Sequence, residues 1–398
     1  MRRRRRGLSL GTVLVLLLCV FAVGGFLWFM RTVGQDSPAA AMRLDEIAQA
    51  VSEVILAPRD GAATPRPTAG QLMQVAQEQG SPPPQAAVQP ISLSLTVGGV
   101  LRLDSDVLAS DSYKEGGQEL LAALARHIHA DLSLVALDQD ITEQAPRNDS
   151  AMPAAALPLL KAAGVDATVY SQGSADQALT AAGLRPLGGP AEEVKGLRLN
   201  GLDIAWLHSA DSELPGGTEG LAQLEQRIAA LKAEHDLVVL SVKWPTVTSQ
   251  APSAQQVTLA HRLAHAGADV ILGFGGGQVQ QVEVYQLPQG DGQRDILIAY
   301  SMGTLLTENR AKAELLSGML LHMQLQVSPQ GAGMTLEGLQ YTPTYVRKWT
   351  EKGRTRFAVL PAAGDAPADM SNTQKDAMAR SRDLIQAVMR SSPAQLQR

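Results

Sequence analysis

The chain of 398 residues contains a single cysteine, Cys19, so no disulfide can form within it and stability must come from packing. It also lacks a basic stripe. The net charge is −5, and beyond the N-terminus acidic and basic residues are interspersed, which excludes the phosphate-collecting surface of a nucleic-acid binder. Familiar catalytic signatures are missing as well. His261 and His265 are four apart on a helical pattern, but Arg262-Leu263-Ala264 between them lacks the Glu of an H-E-x-x-H site, so they read as solvated or helix-capping histidines. His127, His129 and Asp131 form a second cluster without a third converging ligand group. Gly275-Gly276-Gly277 lacks the Lys and Ser/Thr of a P-loop and reads as a flexible loop, and neither Ser171 nor Ser301 stands in a nucleophile elbow. The 45% hydrophobic fraction is ample for a sizeable core.

A long apolar run occurs once. Arg2 to Arg6 precede Leu8 to Met30, which Arg31 closes, and at about 1.5 Å per residue this run spans a hydrocarbon core of about 30 Å. Residues 1–7 are expected in the cytoplasm and 8–30 as a transmembrane anchor in the cytoplasmic membrane, single-pass, with the main domain outside by the positive-inside rule. A cleavable signal peptide ending at Ala39-Ala40-Ala41 competes, although the run exceeds the usual h-region of about 7–15 residues. Residues 31–90, rich in Pro, Ala and Gln, read as a stalk.

From Ile91 the pattern is α/β. Strands are expected at Ile91–Val97, Leu132–Leu137, Leu202–Leu207, Leu237–Val242, Val270–Leu272, Val279–Tyr285 and Ile296–Tyr300. Helices are expected at Gly117–His129, Pro158–Ala163, Gly220–His235 and Ala254–Ala266, the last stopped by Gly267. A β-rich stretch follows at Leu320–Gln326, Met334–Tyr341 and Phe357–Leu360. Residues 363–398 hold a linker, an amphipathic helix from Asn372 to Arg390 and a mobile tail.

Three motifs in order carry a family likeness: Lys243-Trp244-Pro245, Gly273-Phe274-Gly275-Gly276-Gly277 and Tyr300-Ser301-Met302-Gly303-Thr304. They resemble the H-W-G, G-H-H-P-H and Y-S-x-G-N signatures of the CapA/PgsA capsule and poly-γ-glutamate synthesis family. Gly98-Gly99 stands where the family has G-D, Ala136-Leu137-Asp138 resembles N-L-E, and Ser171 to Asp176 resembles N-N-H-x-x-D with its final aspartate kept. The likeness runs through the domain at 91–362 and implies a calcineurin-like metallophosphoesterase sandwich, two sheets flanked by helices. A two-metal hydrolase holds cations about 3.5–4 Å apart on Asp, His and Asn side chains. Here Gly99, Lys243, Phe274, Gly275 and Gly277 replace such residues, so the site resembles an abandoned one and no metal or other cofactor is expected.

The resemblance implies a membrane-anchored, non-catalytic protein in synthesis or export of a surface polymer, with polymer or its synthesis and export proteins as partners. Its old cleft becomes a recognition surface comprising Gly99, Asp138, Asp176, Lys243, Trp244, Phe274, Gly275 and Thr304. Lys243 reads as a solvated lysine at a strand end, with anion binding as the alternative, and Asp104 and Asp106 as charged loop surface. Two other readings stand beside this one. A phosphoesterase site rebuilt around Asp104, Asp138, Asp176 and His129 requires those groups to converge. An envelope interaction protein would use the stalk and the helix at Asn372–Arg390.

Overall fold

The computed structural model describes residues 89–397 apart from 145, 147, 171–174, 190–192, 211–217, 246, 276, 290–291 and 330–332. The expected anchor at 8–30 and all but the end of the stalk lie outside the described residues, as do Ser171 to Ser174 and Gly276. Among the described residues no helix is long and apolar enough to cross a membrane.

The chain first forms β1 (Ile91–Leu101), α1 (Ser105–Ala109), α2 (Asp111–Lys114), β2 (Leu132–Leu137), the short β3 (Asp140–Thr142) and β4 (Ala151–Pro153), α3 (Leu157–Ala162), β5 (Ala167–Tyr170), α4 (Asp176–Ala181) and β6 (Arg185–Pro186). It continues with β7 (Val194–Leu199), β8 (Leu202–Ala210), α5 (Thr218–Glu234), β9 (Leu237–Lys243), α6 (Ala254–Ala266), β10 (Val270–Phe274), β11 (Val282–Gln289) and β12 (Gly292–Ala299). It closes with β13 (Thr304–Leu306), β14 (Ser317–Ser328), β15 (Gly333–Glu351), β16 (Arg354–Pro361), α7 (Asn372–Met389) and β17 (Gln395–Leu396).

One sheet has the order β16-β15-β14-β1-β2-β5-β6, with β13 against β1 and β17 against β15; the other is β11-β12-β10-β9-β8-β7. The centres β1-β2-β5 and β8-β9-β10-β12 are parallel, which buries both faces of their strands and explains their nearly continuous apolar sequences. Alternation within those runs assigns the faces. Leu132, Leu134 and Ala136 of β2 share a core with Leu237 and Val239 of β9, between the sheets. Val135 and Leu137 point to an outer layer with Val107 and Leu157, whereas Val238, Leu240 and Val242 meet Ile228 of α5 and Leu263 of α6. Mixed sheets therefore lie face to face with helices outside, and the C-terminal ends of β2, β9 and β10 meet at one edge of the interface.

Two expectations change here. Gly117–His129 forms no continuous helix, only single helical turns at Gln118–Leu120 and Ala125–His127. Gly116 and Gly117 take positive φ of 109° and 72°, so a turn precedes the segment, although Leu120, Leu121 and Leu124 still bury at helical spacing. The tail expected to be mobile is instead paired, Gln395–Leu396 with Gln340–Tyr341, and Ile385 and Met389 of α7 enter the inter-sheet core.

Candidate functional site

Parallel strands deliver their following loops to one edge, which is where α/β sheets carry function. Asp138 leaves β2, Lys243 ends β9, and their side chains meet at 2.6 Å, each 25% exposed. Lys243 is thus an ion-pair partner and not the freely solvated lysine expected from sequence. Arg102, just past β1, reaches the same carboxylate at 3.3 Å and Asp104 at 3.0 Å, and donates to the Asp149 carbonyl at 2.6 Å. Asp104, expected on a charged loop surface, is 4% exposed and also accepts from Thr307 Oγ1 and the Glu308 amide. Arg102 and Lys243 thus each already hold a carboxylate.

Phe274, Gly275, Tyr170 and His208 line the remaining space with Asp138 and Lys243, and it amounts to only about 10 Å³. Small-molecule pockets begin near about 300 Å³. His208, 3% exposed on β8, has Nδ1 at 3.0 Å from Ser241 Oγ and leaves Nε2 without a hydrogen-bond partner. Burial, reinforced by the nearby Lys243 charge, pushes its pKa down to about 4 and keeps the ring neutral.

The other expected cleft residues diverge. Asp176, at the start of α4, sits behind Tyr170: it accepts from the Tyr170 hydroxyl and pairs with Lys195 at 2.7 Å. Burial raises its pKa, but the Lys195 and Tyr170 hydrogen bonds outweigh that and hold it below the usual value. Burial, then the Asp176 carboxylate, pushes the Tyr170 phenol upward. Trp244 is buried and turns its indole away, Nε1 donating to the Tyr300 carbonyl at 2.9 Å. Thr304 is buried and accepts from the Gly277 amide at 3.0 Å. Asp138, Lys243, Phe274 and Gly275 come together; Gly99, Asp176, Trp244 and Thr304 support them from the packed interior or from behind.

The glycines are set by close approach and not by looseness. A Cβ on Gly99 would lie 2.4 Å from the Gly303 carbonyl oxygen, and one on Gly277, where φ is +87°, would lie 2.2 Å from the Val247 oxygen. An aspartate cannot occupy position 99 without backbone movement. With an ammonium seated on Asp138 and no side-chain donor at 99 or 275, these residues do not fit a two-metal centre. No group of three or more His, Cys, Asp or Glu among the described residues could hold a metal ion. The rebuilt arrangement also fails to converge. His129 precedes β2 and Asp138 follows it, so the length of the strand, about 20 Å, separates them.

Sequence reading missed His208 and Tyr170. His208 carried a signal, a lone polar ring in the apolar run Ile204-Ala205-Trp206-Leu207, but no motif marks it. His261 and His265 are not merely solvated: His261 stacks on Tyr285 with ring centroids 4.1 Å apart and bonds Glu283 at 3.0 Å, and His265 bonds the Tyr285 hydroxyl at 3.1 Å.

None of the curated proteins matches this sequence. Solved structures similar to it include a hypothetical protein from Thermus thermophilus, 14% identical over 63% of this chain and 98% of that one with a TM-score of 0.40. Another is a putative 5'-nucleotidase from Staphylococcus aureus in complex with alpha-ketoglutarate, 10% identical over 73% of this chain and 58% of that one with a TM-score of 0.35. Residues 179–309, which run from α4 past β13 and include Lys243-Trp244-Pro245 and Tyr300-Ser301-Met302-Gly303, match the family described as bacterial capsule synthesis protein PGA_cap, and this match supports the assignment of the chain to that capsule-synthesis family.

Proposed function

We propose that this is a membrane-anchored, non-catalytic member of the capsule-synthesis family, acting outside the cytoplasmic membrane as a binding or scaffolding component in synthesis or export of a surface polymer. Its domain is read as a calcineurin-like sandwich whose metal chemistry has been given up. The observation that carries this is the Lys243–Asp138 pair at 2.6 Å. A lysine ammonium supplies the positive charge that a carboxylate at a strand end would otherwise find in a cation, but it cannot polarise a phosphoryl oxygen as a Lewis acid or lower the pKa of a bound water. The tight packing of Gly99 supports the same reading, because the backbone of the Gly303 turn fills the space an aspartate would need. The family match supports a role in capsule synthesis in the broad sense; the anchor rests on the apolar run at 8–30.

The test is metal content by mass spectrometry on the purified full chain in detergent, after equilibration with Mn²⁺ and Zn²⁺ and removal of free metal. The expected result is no retained metal. Stoichiometric metal that disappears in Asp138→Asn would overturn the non-catalytic reading.

A further inference from the structure

A second cavity lies at the opposite end of β2 from the Lys243–Asp138 pair. It measures about 620 Å³, and β1, the turn at His127–Ala130, β14, β15 and the strand β17 all contribute to its wall. That volume is within the about 300–1,000 Å³ typical of small-molecule sites.

One wall is a closed hydrogen-bond chain. Thr342 Oγ1 spends its proton on Gln397 Oε1 at 2.8 Å, so it accepts from His322 Nε2–H at 3.0 Å, which leaves His322 Nδ1 to accept from Thr96 Oγ1 at 3.1 Å. His127 lies on the same cavity wall as Gln397. Burial, with His127 and His129 nearby, holds His322 down to about 4, and burial with Arg126 alongside lowers His127, so both rings are neutral at physiological pH. These groups are committed to one another and make the wall rigid.

The groups left facing the cavity are of another kind. Gln324, Gln340, Gln395 and His129 are exposed, and their amides and imidazole both donate and accept. No lysine or arginine lines the cavity, and the one lining carboxylate, Glu337, repels anions. Phosphorylated or polyanionic ligands therefore find no counter-charge there. The side chains of Leu95, Met323 and Leu339 turn away into the inter-sheet core, so Ala130 and Pro393 supply apolar surface for the C–H faces of a sugar ring while its hydroxyls, each both donor and acceptor, meet the amides.

We propose that this cavity binds a neutral, polyhydroxylated ligand, a segment of an oligosaccharide, at a site separate from the strand-end cleft. The proposal does not depend on whether that cleft has lost its metal. It is tested by saturation-transfer NMR and calorimetric titration of the full chain in detergent with maltotriose, chitotriose and, as the anionic counterpart, hexaglutamate. The expected result is binding of at least one neutral trisaccharide, weakened about tenfold or more in Gln340→Ala and in Gln395→Ala, with both variants retaining the wild-type circular dichroism and melting temperature. Absence of binding by both trisaccharides in the millimolar range would overturn it. So would affinity unchanged in both variants, or binding of hexaglutamate alone.

Discussion

At position 243 a lysine stands where the H-W-G motif it resembles carries a histidine, and the consequence is decided by which carboxylate lies within reach. Asp138 and Lys243 are each partly exposed, so their pairing is stronger than a surface ion pair and weaker than a fully buried one. A double-mutant cycle with Lys243→Met and Asp138→Asn, read by urea unfolding, is expected to give a coupling energy of about 1–2 kcal/mol. A coupling near zero would mean that the pair has no structural role. The resemblance to the family's motifs marked positions 99, 243, 274 and 275 as lacking the ligand atoms those motifs carry, which a sequence can display. It could not show that Lys243 lands on Asp138, more than a hundred positions earlier, or that Asp104 is buried and shared by Arg102 and Thr307. Those outcomes depend on where two sheets place their loops.

At the scale of elements, legibility followed local chemistry. α6 begins with Ser253 and Gln256 forming a reciprocal capping box and stops at Gly267, whose φ of 126° suits glycine, so both ends were readable. Gln256 also bonds Gln280, which in turn holds the carbonyls of Ser249 and Ala251 beside Trp244. Ser253→Ala is expected to cost about 1 kcal/mol in chemical denaturation and to raise amide exchange in the first turn of α6. β7 was not anticipated: it is a partly exposed edge strand, Val194–Leu199, whose half-polar sequence carries little signal until it pairs with β8. The helix expected at Gly117–His129 failed for the converse reason. Its apolar spacing is real, but Gly116 and Gly117 at its start take positive φ, and the chain beyond forms only single helical turns.

For the whole molecule, histidines folded in their neutral forms set a pH dependence, His208 and His322 with the large shifts and His127 in the same direction. Unfolded, His208 and His322 take up protons near 6.5; folded, both do so only near about 4. Between those values the unfolded chain binds more protons, so stability is fully present above about pH 6.5, falls as pH drops, and loses nothing further from these groups below about 4. The buried His208 alone contributes on the order of 3 kcal/mol across that window. Melting temperature measured from pH 7.5 to 5, above the range where most carboxylates titrate, is expected to fall with pH, and less steeply in His208→Asn. A flat profile would show that the folded protein takes up these protons without cost.

The sequence by itself determined the composition limits, the α/β alternation and the bounds of α6, because each is a property of a residue or its near neighbours. Tertiary structure alone decided that Lys243 closes on Asp138, that the Gly303 turn occupies the space beside Gly99, and that His127 and His322 share a cavity with the C-terminal strand. Those arrangements join segments up to some hundreds of positions apart, and only the register of the two sheets and their packing bring such segments within hydrogen-bond distance.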